Sequence, residues 1–144
     1  MSSLFSHIDL RVRELERAIR FYDEVLGEFG FRRESYPEFG DDEATWRRSG
    51  WSPNDDFFGI VMDPQCAPNA NRIALRCDTP EHVARVADAA RRGGGAEIDG
   101  PAEYDGYHAV FFEDPDGNRL EACFLKKHGG LAGDPYRAVG LGTR

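Results

Sequence analysis

The residues best suited to chemistry belong to a short motif that occurs twice with one difference. Ile8-Asp9-Leu10-Arg11 recurs as Ile73-Ala74-Leu75-Arg76 at an offset of 65 residues, and the preceding residue is His7 in the first copy and Arg72 in the second. An imidazole can bind a metal or transfer a proton near neutral pH, whereas a guanidinium keeps its charge and binds anions. A metal site built symmetrically from the two copies would need a ligand at both positions.

Two further coincidences at the same offset support a duplication. Glu16 corresponds to Glu81 on two predicted helices, and Gly30 corresponds to Gly95 just after them. A four-residue match alone could arise by chance, but matches that also place helices and their ends in the same order indicate two copies of one structural unit.

Hydrophobic periodicity predicts the order βαβββ in each unit. The first unit is predicted to contain a strand at 5–12, a helix at 15–26 and strands near 31–36, 43–48 and 57–62. The second is predicted to contain a strand at 72–77, a helix that starts after the N-cap Thr79, and strands near 96–103, 107–113 and 118–124. These boundaries give a first module at 1–63, a linker at 64–71, a second module at 72–124 and a flexible glycine-rich tail at 125–144.

This pattern predicts an α+β fold in which two βαβββ modules form a curved mixed sheet, a cup, with one helix on the outer face of each module. Strand alternation then decides which side chains point into the cup. Pairing Glu113 with Arg119 across the turn at Asp114–Asn118 puts Phe111 opposite Glu121. The residues predicted to face the cup are His7, Asp9, Arg11, Arg72, Arg76, Tyr107, Ala109, Phe111, Arg119, Glu121 and Cys123.

A sheet interior this polar is typical of a ligand site. Arg11 and Arg76 could contact an anionic ligand, or Arg11 could simply pair with Asp9. Tyr107 is either a core aromatic or part of the pocket lining. His108 is predicted to face the helix instead, unless the register slips by one residue.

Composition restricts the partners. The chain has 144 residues and a formal net charge of −8, which disfavours nucleic acid and anionic membranes as partners. No apolar run approaches the roughly 20 residues of a membrane helix, and no secretory signal is visible. The three cysteines form neither a disulfide framework nor a zinc motif, so we expect reduced thiols in a cytoplasmic protein.

The segment Gly106–Glu121, with its Asp-Pro-Asp-Gly-Asn turn, resembles the C-terminal hairpin of the vicinal-oxygen-chelate superfamily, which includes glyoxalase I, bleomycin-resistance proteins and extradiol dioxygenases. The start of the chain, from His7 through Phe21-Tyr22, is similar to the opening strand and helix of that superfamily. The resemblance covers nearly everything except the tail, and it specifies a fold more closely than a reaction.

In the metal-dependent members the resemblance implies four ligands, one from each of four strands. His7 matches the first position and Glu121 the last, whereas the other two fall at Arg72 and near Ile60 or Val61. A divalent metal normally needs at least three protein ligands, so we expect no cofactor. Arg72 could replace the metal's positive charge, either by pairing with Glu121 or by binding an oxygen of a ligand.

Two functions from different classes follow. The first is a protein that binds or sequesters a small aromatic or polar molecule, with stacking surface drawn from Trp46, Trp51, Phe57, Phe58, Tyr104 and Tyr107. The alternative is a lyase, isomerase or dioxygenase. It would use His7 and Glu121 with a third ligand such as His108 or Cys123 to hold Zn, Fe, Ni or Mn, or it would work without metal with Glu121 as base. The resemblance also implies a homodimer, with the pocket closed within one chain or shared between two.

Overall fold

The computed structural model describes residues 3–34 and 41–126. Its elements in chain order are β1 (His7–Val12), α1 (Leu15–Gly27), β2 (Phe31–Glu34), β3 (Glu43–Arg48), β4 (Phe57–Met62), β5 (Arg72–Arg76), α2 (Pro80–Arg92), β6 (Ala96–Tyr104), β7 (Tyr107–Glu113) and β8 (Arg119–Leu125). The predicted βαβββ order is confirmed in both modules. Most of the predicted tail lies outside the described residues.

The two modules have the same sheet topology. Their strand orders are β1-β4-β3-β2 and β5-β8-β7-β6. In each module the first strand pairs in parallel with the last, and the other neighbours are antiparallel. The two copies of the sequence motif occupy β1 and β5, so the duplication inferred from a four-residue match extends to the whole module.

Each helix forms for reasons visible in the sequence. Apolar residues at spacings of three and four give α1 a stripe that is buried against the sheets. At the start of α2, the Thr79 side chain accepts a hydrogen bond of 3.1 Å from the backbone N–H of His82, and Pro80 takes the first helical position. No helix in the described part of the chain is long and apolar enough to cross a membrane.

One hydrophobic core joins the two modules. The Phe21 ring of α1 lies 6.1 Å from the Phe112 ring of β7, measured between centroids. Gly95 permits this approach, because a Cβ atom there would lie 2.9 Å from both the Ala90 carbonyl oxygen and Cε2 of Phe21. The main cluster of buried residues therefore includes side chains from both sheets and both helices.

The turn between β7 and β8 also ties the modules together. Its two aspartates are buried. Tyr22 donates its hydroxyl hydrogen to Oδ2 of Asp114 at 2.7 Å. Oδ1 of Asp116 accepts from the backbone N–H of Arg13 at 3.0 Å and from Nη2 of Arg17 at 2.9 Å. The sequence predicts the turn but gives no sign of these contacts with the first module.

Candidate functional site

We call the sheet surface away from α1 the first cup face and the surface away from α2 the second cup face. The register predicted for the last hairpin is confirmed on the second cup face, since Glu113 pairs with Arg119, Phe111 with Glu121 and Ala109 with Cys123. Four of its residues form a buried cluster of their own, separate from the main core: Tyr107, Ala109, Phe111 and Cys123. The second cup face therefore has an apolar floor.

A cation and a carboxylate lie on this floor. Arg72 places its guanidinium carbon 4.7 Å from the centroid of the Phe111 ring, a cation–π contact. Glu121 is 4% exposed and lies opposite Ala74 in the β5–β8 register. Arg72 and Glu121 are thus diagonal neighbours on one face, within reach of the same small group.

The thiol of Cys123 is held in its neutral form. Burial, followed by the nearby Glu121 carboxylate, raises the pKa of Cys123 to about 12, while Arg76 opposes the shift. A thiolate is the form that attacks electrophiles. At neutral pH this cysteine therefore acts as a small buried side chain.

The first cup face differs because its candidate residues are exposed. The His7 ring stacks on the Phe57 ring with 4.5 Å between centroids and 5° between planes. Ser6 Oγ lies 3.1 Å from Nδ1 of His7. Arg11 and Asp9 form an ion pair of 3.0 Å, which is one of the two arrangements that the sequence allows for Arg11.

A cation that the sequence analysis missed lies beside this histidine. The guanidinium carbon of Arg47 is 4.2 Å from the ring centroids of both Trp51 and Phe57. Alternation along β3 could have placed Arg47 on this face, but nothing in the sequence shows that the segment after β3 brings Trp51 back over it.

The donors predicted for a divalent metal do not come together in the described part of one chain. The described residues contain no group of three or more His, Cys, Asp or Glu side chains that could hold one. His7 and Glu121 belong to separate sheets. Ile60 is buried in the main core. His108 lies on the opposite side of β7 from Tyr107, with Nδ1 2.9 Å from Oε2 of Glu103.

A groove runs between the first strands of the two modules. Its cavity volume is about 700 Å³, and it is lined by β1, β5 and the segment that precedes β1. His7, Arg72 and Arg76 line this groove together. The structure thus brings these three predicted site residues to one opening, whereas Tyr107, Phe111 and Glu121 gather on the second cup face.

A model of the Glyoxalase/Bleomycin resistance protein/Dioxygenase superfamily matches residues 4–122. The chain belongs to this superfamily. A search of curated proteins finds no match. Membership fixes the fold that carries the two cup faces.

Solved structures agree with this assignment. A glyoxalase/bleomycin resistance protein from Albidiferax ferrireducens is 27% identical with a TM-score of 0.69, over 86% of this chain and all of its own length. The fosfomycin resistance protein FosX from Mesorhizobium loti is 22% identical with a TM-score of 0.61, over 91% of this chain and 96% of its own. FosX from Listeria monocytogenes, solved with Mn(II) and sulfate, is 20% identical with a TM-score of 0.62, over 88% of this chain and 94% of its own. At these identities, each of the two FosX structures is similar to this chain in fold.

Proposed function

We propose that this superfamily member binds or sequesters a small aromatic or polar molecule in its cup and lacks the standard divalent metal site. The observation that carries the proposal is Arg72. Its guanidinium lies over Phe111 on the same face as the buried Glu121. The superfamily's metal-dependent members would need a coordinating side chain at this position.

The arrangement suits recognition of a polar group above a flat apolar surface. Arg72 can donate to a carbonyl or anionic oxygen of a ligand, and Glu121 can accept from a ligand N–H or O–H. The rings of Phe111 and Tyr107, 4% and 1% exposed, form the buried apolar backing of the site. Such a site fixes the orientation of a ligand through a few polar contacts and derives affinity from the apolar area it covers.

We further propose that the protein is a homodimer whose partner chain completes the pocket. β1 and β5 each lie at a sheet edge. The groove between them is also lined by Leu4 and Phe5, which are 90% and 59% exposed. Sedimentation equilibrium provides the test. A dimer that Phe5→Asp converts to a folded monomer supports the proposal, and a wild-type monomer at micromolar concentration contradicts it.

Metal analysis of protein purified without a histidine tag tests the proposal that the standard divalent metal site is lacking. We expect substoichiometric zinc, iron, nickel and manganese in the wild type and no change in Glu121→Ala. Stoichiometric metal that disappears in Glu121→Ala would overturn it.

Ligand-observed NMR with benzamide and phenol as neutral probes tests the pocket itself. We expect saturation transfer to the wild type that is lost in Glu121→Gln and Arg72→Gln but kept in Arg20→Gln, an exposed helix position that serves as control. Absence of transfer in the wild type, or equal transfer in all four proteins, would contradict a pocket on the second cup face.

The buried carboxylate of Glu121 favours one second candidate, an isomerase or lyase that uses it as a base. This activity would exchange carbon-bound hydrogen of an α-hydroxyketone with solvent. Hydroxyacetone in D₂O, followed by proton NMR, distinguishes the candidates. Exchange catalysed by the wild type and lost in Glu121→Gln would support the enzyme, whereas no exchange above buffer supports the binding protein.

A further inference from the structure

The first cup face carries a layered stack of rings around one cation. Trp51, Arg47, Phe57 and His7 follow one another, with 4.2 Å from the guanidinium carbon to each flanking ring and 4.5 Å between the last two rings. Because both flat sides of the guanidinium are covered, the N–H groups at its edge are the part of Arg47 left to bind another molecule.

Arg47 has no acidic partner among the described residues. The Arg47 side chain forms no hydrogen bond or ion pair within residues 3–34 and 41–126, and its Nε atom is shielded from solvent without an acceptor. A buried donor without an acceptor destabilises the folded chain. Arg11 in β1 differs, because Asp9 neutralises it at 3.0 Å.

A second arginine stands directly across the strand pair. Arg32 of β2 is the register partner of Arg47 in β3. Like charges that face each other across strands destabilise a sheet. Arg32 also forms no ion pair with any acidic group in the described part of the chain. The two facing cations therefore form a patch that an anion would stabilise.

The nearby carboxylate of Glu34 holds the stack in place instead of neutralising it. Oε1 of Glu34 accepts a hydrogen bond of 3.1 Å from Nε1 of Trp51, which keeps the indole against the guanidinium. The acidic group is thus used to orient Trp51, while the cation between the rings stays available.

We propose that Arg47, held between Trp51 and Phe57 and assisted by Arg32, is an oxyanion subsite that binds the carboxylate or phosphate of a small-molecule ligand. The inference rests on the proposed binding function and narrows its ligand class to small anions. A planar guanidinium can bind such a group in a bidentate manner. The anion takes the place of the missing acidic partner and separates the charges of Arg47 and Arg32.

NMR titration of labelled protein tests the subsite with three probes: benzoate, its neutral isostere benzamide, and inorganic phosphate. We expect benzoate, and not benzamide, to shift the indole N–H signal of Trp51 and the Nε–H signal of Arg47. Removing one charge-assisted contact should weaken benzoate binding about tenfold in Arg47→Gln. Arg47→Lys keeps the charge and should retain part of the affinity, which distinguishes lost recognition from lost folding.

Arg20→Gln removes the same charge from an exposed position of α1 and should bind benzoate as the wild type does. If benzamide binds as well as benzoate and Arg47→Gln changes neither, the oxyanion subsite is wrong while the binding function stands. If no probe binds, both fail. If phosphate shifts the same signals as strongly as benzoate, the subsite stands and its occupant is a phosphate.

Discussion

Two modules with the same topology use their cup faces in different ways. The second cup face buries a ring cluster beside Glu121, whereas the first cup face exposes His7, Asp9 and Arg11. The helix sides of both sheets, in contrast, merge into one core. Duplication has therefore preserved the packing side of each module, where sequence change is costly, and has let the opposite sides diverge.

The largest effect should come from the turn of the second module. Asp114→Ala removes the acceptor of the Tyr22 hydroxyl, of the Asp116 backbone N–H and of two Asn118 donors. Because these groups are largely buried, we expect the free energy of unfolding to fall by about 3–4 kcal/mol. Urea unfolding measures this loss as a lower midpoint concentration with an unchanged m-value.

The corresponding connection in the first module supplies the control. Asp55 accepts from the backbone N–H of Ser52 at 2.8 Å at an exposed site. Asp55→Ala should therefore cost only about 0.5 kcal/mol. Equal losses of unfolding free energy in the two variants would show that the two turns contribute equally to stability.

The mismatch between His7 and Arg72 can be reversed. Arg72→His places an imidazole beside Glu121, its diagonal neighbour, and on the groove that His7 also lines, which supplies three donors. We expect zinc affinity to rise about a hundredfold, or about 2.7 kcal/mol, in competition with a chromophoric chelator. Arg72→Gln removes the same cation without adding a donor, so equal zinc binding in the two variants would refute the explanation.

The repeated glycines should respond unequally. Gly95→Ala places a Cβ atom 2.9 Å from the Ala90 carbonyl oxygen, and we expect a loss of about 2 kcal/mol in unfolding free energy. Gly30 has open space around it but a φ of +79°, so Gly30→Ala should cost about 1 kcal/mol from backbone strain alone. Thermal unfolding measures both losses. A larger loss of unfolding free energy in Gly30→Ala than in Gly95→Ala would contradict this prediction.

The smallest effect concerns thiol reactivity. Burial raises the pKa of Cys77 and of Cys123 to about 12. A raised pKa keeps a thiol protonated, so at pH 8 only about one molecule in ten thousand carries either thiolate. Iodoacetamide should label the half-buried Cys66 first, as mass spectrometry of the native protein will show. Rapid native labelling of Cys123 would contradict its burial.

Much of this fold can be predicted from the sequence. The strands at 43–48, 57–62 and 107–113 and the facing of Phe111 with Glu121 are all confirmed. They were predictable because periodicity and turn residues act over short distances. The predicted roles of His7, Glu121 and the other site residues stay predictions.

The rest depends on contacts between residues far apart in the chain. The Asp116 contacts with Arg13 and Arg17 span about a hundred residues. The Arg47 stack depends on where the segment after β3 folds, which no local pattern specifies. The unequal burial of the two cup faces was also not predicted, since alternation shows which way a side chain points and does not show what covers it.

The bond between Tyr22 and Asp114 has a consequence for the chain as a whole. It anchors the first half's helix to the second half's turn inside a shared interior. A protease that cuts the connection between Asp63 and Asn71 should therefore yield two fragments that stay together and melt in a single transition. Neither fragment made alone should fold, so the ancestral repeat has become half of an indivisible unit.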